Sequence, residues 1–171
     1  MMDNQDVYSV LKLFGEQVPP ESKITLLGGS ALILLGNSRE TIDIDLVGDD
    51  VIPSELHRRI IQIAKENKIL LDVVPIEHFI PLPEDSEKRI IPVGQFGNLI
   101  VFVADPYSIA LSKIDRGLAN DYTDIEFLLA KGHITLDMLT KIVQSTIAKA
   151  GKYDLNPDFL KHFEELQSRL K

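Results

Sequence analysis

The sequence predicts an α+β fold: a mixed sheet with flanking helices over about residues 1–104, then a helical region over 105–171 packed on that core. Three observations predict it. Up to Val103, short apolar runs of strand length alternate with stretches of helical periodicity. From Pro106 onward only helical periodicity remains. Gly and Pro punctuate the points where one pattern gives way to the next.

The elements follow in order. Val7, Val10, Leu11, Leu13 and Phe14 fit an amphipathic helix, which Pro19-Pro20 stops. Ile24–Leu27 reads as a buried strand. Gly28-Gly29 follows at once, and Ser30–Leu35 reads as a short, largely buried helix with Gly36-Asn37 as its C-terminal stop. Ile42, Ile44 and Leu46 alternate with Asp43, Asp45 and Val47, which is strand periodicity. Pro53 opens a helix to about Asn67, with Leu56, Ile60, Ile61 and Ala64 on one face. Ile69–Val74 is a further strand, and Pro75–Lys88, with its prolines and acids, a loop. Strands near Arg89–Val93 and Leu99–Val103 flank a hairpin connection, Gly94–Asn98. Helices are expected near Pro106–Leu118, Tyr122–Ala130, Leu136–Ala148 and Pro157–Leu170.

Composition narrows the function. A chain of 171 residues without cysteine can build a core unaided, and it excludes disulfides and cysteine-ligated metals. No apolar run reaches the roughly 18 residues of a membrane span. The start, Met1–Asp6, is acidic and polar rather than a signal peptide, so the expected compartment is the cytoplasm, with no membrane partner. The net charge of −8 disfavours broad binding to a phosphate backbone, but leaves room for a small phosphorylated ligand. The densest basic patch, His57-Arg58-Arg59, reads as a solvated helix face.

Two acids interrupt the apolar run Ile42–Leu46. Side chains at i and i+2 of a strand share a face, so Asp43 and Asp45 project together, about 6.6 Å apart along the strand. Two such carboxylates repel, and a divalent cation relieves the conflict. Mg²⁺ suits them, because it accepts a few carboxylates and keeps waters and phosphate oxygens as its other ligands. Asp72 interrupts the strand Ile69–Val74. If the two strands are neighbours, it completes a three-carboxylate set able to serve phosphoryl transfer, as a metal ligand or as base. Gly28-Gly29-Ser30 stands at a strand-to-helix junction, where glycines admit a phosphate to the backbone and Ser30 can add a hydroxyl. Taken alone, a Gly-Gly turn is usually a turn, and an Asp-x-Asp strand is often an exposed sheet face. Their order along the chain points to a nucleotide site.

Leu27-Gly28-Gly29-Ser30-Ala31-Leu32, followed by Arg39-Glu40-Thr41-Ile42-Asp43-Ile44-Asp45-Leu46, resembles the signature of the nucleotidyltransferase (polymerase-β-like) superfamily. Arg-x-Ser/Thr before Asp-x-Asp is most similar to the branch holding nucleotidyltransferase toxins of abortive-infection systems. Ala110–Arg116 and Asn120–Ile125 resemble that branch's later Lys and Asp-x-x-Asp motifs, so the likeness spans about residues 24–130. It implies a nucleotidyltransferase-type mixed sheet. It implies that Gly29 and Ser30 contact the phosphates of an NTP, that Asp43 and Asp45 bind Mg²⁺, and that Asp72 is the third carboxylate. Lys113 would stabilise charge on the phosphates. Arg39 would brace its loop or contact the nucleotide. Asp121 and Asp124 share a helix face; Asp124 would position Lys113 or Arg116, or the acids would form a surface ion-pair network.

The expected activity is transfer of a nucleoside monophosphate from an NTP to a hydroxyl of a protein, a tRNA end or a small molecule. The other class of function is a catalytically weak module that binds a protein partner in a toxin–antitoxin-like system. In that case Leu136, Leu139, Ile142, Val143 and Ile147 would be partner-facing rather than core. The third reading is a plain α/β domain with an acidic sheet edge.

Overall fold

In the computed structural model, which describes residues 1–171, the chain forms two compact units. The first comprises Met1–Pro75 and Ile90–Ala104; the second comprises Ile76–Arg89 and Asp105–Lys171. In chain order the elements are α1 (Asn4–Glu16), β1 (Ser22–Leu27), α2 (Gly28–Leu34), β2 (Ile44–Val47), α3 (Glu55–Glu66), β3 (Leu71–Val74), α4 (Ile76–Phe79), β4 (Ile91–Phe96) and β5 (Leu99–Val103). Then follow α5 (Pro106–Arg116), α6 (Ala119–Ala130), α7 (Leu136–Ala148) and α8 (Phe159–Arg169). The expected α+β fold is present.

The first unit is built on one five-stranded sheet of order β3-β2-β1-β5-β4. It is mixed: β1–β5 and β2–β3 are parallel, β1–β2 and β4–β5 antiparallel. Burial alternates along β1, β2 and β5, so one face carries the core. Ile24, Leu26, Ile44, Leu46, Leu99, Val101 and Val103 are at most 2% exposed. Each such side chain contributes about 1.5–3 kcal/mol by leaving water. Helix α1 packs Val7, Leu11 and Phe14 inward and touches β4, β5 and α2. Its start is fixed by a capping box, in which Asp3 and Asp6 each accept the other's backbone N–H.

Several boundaries moved. Ile42 is 59% and Leu70 63% exposed, so β2 and β3 begin later than the apolar runs suggest. Gly94–Phe96 belongs to β4, and the hairpin turn shrinks to Gly97-Asn98. A bulge between Pro92 and Gly94 lets this edge strand absorb a residue without an N–H. Helix α2 begins at Gly28 itself. Helix α3 starts after Ser54, whose hydroxyl accepts the His57 N–H, and buries Ile63 with Ile60 and Ala64. Those positions form one i, i+3, i+4 stripe, which leaves Ile61 at its margin. The expected loop after Pro75 contains α4 and a 3₁₀ turn at Ser86–Arg89.

His57 does not sit on a solvated face. Its ring lies against Gly48, where a Cβ would come within 2.7 Å of Nδ1. Nδ1 is buried without a hydrogen-bond partner, and burial lowers the pKa of the ring below its ordinary 6.5. The folded protein therefore holds His57 neutral where the unfolded chain already binds a proton. Stability from this group is present above about pH 6.5 and falls as the pH drops from there through the folded-state value. Melting temperatures between pH 7.5 and 5 should decline more steeply for the wild type than for His57→Gln; parallel curves would contradict this.

In the second unit α5 is central, touching α6, α7, α8 and the Ser86–Arg89 turn. Asp105 caps it by accepting the N–H groups of Tyr107 and Ser108, and Pro106 fits the first helical position. Arg89 forks onto the same carboxylate through Nε at 2.8 Å and Nη2 at 2.9 Å. At the other end Gly117, at φ 69°, closes α5, and Nδ1 of His162 lies 2.7 Å from the Ile114 carbonyl oxygen. Of the apolar residues on α7, Leu139 and Val143 are core, whereas Leu136 and Ile147 are 37% and 39% exposed. No helix is long and apolar enough to cross a membrane.

Candidate active site

The parallel pairing of β2 with β3 sets Asp45 opposite Asp72. The antiparallel pairing of β2 with β1 sets Asp45 opposite Leu27, the residue before the two glycines. Asp43 lies just before β2, and its carboxylate nonetheless reaches the same place. One ligand oxygen from each of Asp43, Asp45 and Asp72 falls within 4.8 Å of the others. Asp43 and Asp45 are half-buried and Asp72 is exposed, on the sheet face opposite the buried Ile44 and Leu46. The neighbouring-strand condition that Asp72 needed is met.

Three hard carboxylate oxygens, open to solvent on one side, fit a hard divalent cation such as Mg²⁺ or Mn²⁺. No histidine or cysteine joins them, which sets the cluster apart from a zinc site.

Gly28 and Gly29 are shaped by this cluster. Gly28 has φ 64°, and a Cβ there would overlap Oδ2 of Asp45. A Cβ on Gly29 would lie 2.7 Å from Oγ1 of Thr41 and 3.3 Å from the guanidinium carbon of Arg39. The turn therefore rests directly on the acidic strand and on the loop that leads into it. Gly28→Ala is expected to cost about 1–3 kcal/mol from the strained φ, and to displace Asp45. Denaturant unfolding beside Mn²⁺ titration would measure both, and an unchanged protein on both counts would refute the tight packing.

The remaining predicted residues are placed as follows. Ser30 is fully buried, and its Oγ donates to the Leu27 carbonyl at 3.1 Å. Arg39 donates from Nε to the Glu40 carbonyl, and its backbone N–H is held by Asn37. Lys113, on α5, belongs to the second unit and is 4% exposed. Its Nζ lies 2.7 Å from Oδ2 of Asp124 and 3.6 Å from Oδ1 of Asp121. Arg116 donates from Nε to Asp121 at 2.8 Å. Burial raises the pKa of Asp121, but the bonds from Arg116 and the Leu118 N–H, with Lys113 nearby, outweigh it and hold the carboxyl below its usual range. Asp121 and Asp124 are at most 2% exposed, so they do not form a surface network; Asp124 pairs with Lys113 and Asp121 with Arg116.

Thr41 is the residue for which sequence reasoning found no role. It is 4% exposed, with Oγ1 3.4 Å from the Asp43 carbonyl oxygen and 3.5 Å from its Oδ1. Its place in the Arg-x-Thr-x-Asp-x-Asp run was the available signal. Asp105 and Asp115, also acids near the motifs, serve structure: the first caps α5, and the second accepts the Asn156 N–H at 2.7 Å.

A five-stranded mixed sheet with flanking helices is consistent with a nucleotidyltransferase-type fold. Residues 7–171 match the family described as "Nucleotidyltransferase of unknown function (DUF6036)", and the chain belongs to it. No curated protein and no solved structure matches the chain.

Proposed function

We propose that the protein is a Mg²⁺-dependent enzyme that transfers a nucleoside monophosphate from an NTP to a hydroxyl acceptor. The acceptor oxygen bonds the α-phosphorus, the bond to the β-phosphate oxygen breaks, and pyrophosphate leaves. The observation that carries this reading is the Asp43–Asp45–Asp72 cluster beside the Gly28-Gly29 turn. A bound Mg²⁺ would neutralise phosphate charge there and polarise the reacting oxygens. Asp43, Asp45 and Asp72 are its proposed ligands. Asp72, the most open of the three, is the group to take the acceptor's proton. Gly28, only half-buried, is the turn residue proposed to admit a phosphate to the backbone; Gly29 is buried against Thr41, Ser30 holds the turn, and Arg39 braces the loop above it. The proposed compartment is the cytoplasm.

Isothermal titration of the wild type with NTP and Mg²⁺ tests the reading. Binding is expected, and Asp43→Asn and Asp45→Asn are expected to remove its Mg²⁺ dependence. A wild type that binds no NTP, or variants that bind equally, would overturn it. Incubation with labelled NTP and cell extract then identifies the acceptor class.

One observation favours binding of a protein partner as a second reading. The second unit holds a cleft of about 290 Å³ along α7, where Met138 and Ile142 face Leu82 and Pro83. Met138 is 44% and Leu82 39% exposed. A monomeric protein with robust transferase activity would count against it.

A further inference from the structure

The loop that leads into the acidic strand is held from outside by the N-terminal segment. Met2 and Thr41 exchange both backbone hydrogen bonds: Met2 N–H to the Thr41 carbonyl at 2.6 Å, and Thr41 N–H to the Met2 carbonyl at 2.9 Å. This is an antiparallel bridge one residue pair long. Met2 is no loose end, because the next residue, Asp3, caps α1. Helix α1 in turn packs against β4, β5 and α2. The bridge therefore ties Thr41 to a helix anchored on the sheet. On its other side Thr41 faces the Gly29 backbone, with no room for a Cβ between them, and Asp43, two residues on.

We infer that Thr41 is a positioning residue for the metal ligand Asp43, and that the Met2 bridge holds Thr41 in place. This rests on the proposed metal-binding role of Asp43. Asp43 precedes β2, so no ladder hydrogen bonds of that strand fix its backbone. Without another constraint its carboxylate would sample orientations away from Asp45 and Asp72. The Thr41 hydroxyl limits that freedom from within the loop, and the two bridge bonds limit it from outside. Groups that orient metal ligands in this way typically change metal affinity by about 10–100-fold when lost.

Three variants test the inference. Thr41→Val keeps the shape and removes the hydroxyl; Thr41→Ser keeps the hydroxyl; Met2→Pro removes the N–H donor of the bridge. Mn²⁺ binding is measured by electron paramagnetic resonance, and amide hydrogen exchange of residues 37–45 is followed in metal-free protein. Thr41→Val should bind Mn²⁺ about tenfold more weakly at a melting temperature close to that of the wild type, while Thr41→Ser restores most of the affinity. Met2→Pro should speed exchange across the loop before any metal is added. Wild-type affinity in Thr41→Val, with Asp43→Asn still impaired, would overturn the positioning role. Unchanged exchange in Met2→Pro would overturn the clamp whether or not the protein binds metal. A wild type that binds no Mn²⁺ would instead defeat the metal site itself, and with it the assigned role of Thr41.

Discussion

Asp43→Asn and Asp45→Asn should each lower the rate of nucleotide transfer by a hundredfold or more, about 3 kcal/mol of lost transition-state stabilisation. Each exchange keeps the size of the side chain and removes one negative charge from a cluster whose three oxygens lie within 4.8 Å. Folding should change little or improve, because both residues are half-buried and neutralising one of three crowded acids relieves repulsion. The combination distinguishes a working site from a structural one: activity and Mn²⁺ affinity fall while the melting temperature holds or rises. Single-turnover transfer beside thermal unfolding gives both numbers. A variant that keeps its rate, or loses rate only as it unfolds, would remove the cluster from the chemistry.

The second large effect is on stability. Lys113→Met should destabilise the protein by about 3–5 kcal/mol, because it removes the buried cation that pairs with Asp124 and lies beside Asp121. Asp121 and Asp124 have no solvent to turn to, and Asp121 retains the bond from Arg116. Lys113→Met combined with Asp124→Leu should recover much of the loss, since removing both charges deletes the desolvation penalty along with the attraction. Urea unfolding of the single and double variants reads the coupling directly. Additive losses would mean that the pair is not a unit.

These two sites were not equally legible in the sequence. Asp43 and Asp45 announce themselves because acids inside a short apolar run are unusual and their spacing fixes their common face. Asp72 could be named as a candidate but not placed. Its contribution depends on β3 pairing with β2, and strand neighbours are chosen by the whole sheet rather than by local pattern. The sequence also identified Lys113, Asp121 and Asp124, but not their depth. Charged residues on an amphipathic helix normally face water, and only the packing of α5 against α6 encloses these. His57 hid for the same reason: its neighbours Arg58 and Arg59 suggested a solvated face, while its ring fills the space that Gly48 leaves. Thr41 escaped because its role comes from Met2 and Gly29, both distant in sequence.

The pairing of Asp45 with Asp72 makes the site a matter of parity. Side chains on a strand alternate between faces, so a slip of β3 by one residue would turn Asp72 toward α3 and offer Leu71 or Val73 to the acids instead. A slip of two would keep the face and exchange the carboxylate for Leu70 or Val74. The crossover through α3 is thus a counting device: its length, more than its composition, decides whether three oxygens meet. Insertions or deletions between β2 and β3 act on the chemistry from a distance, without touching any of the three acids.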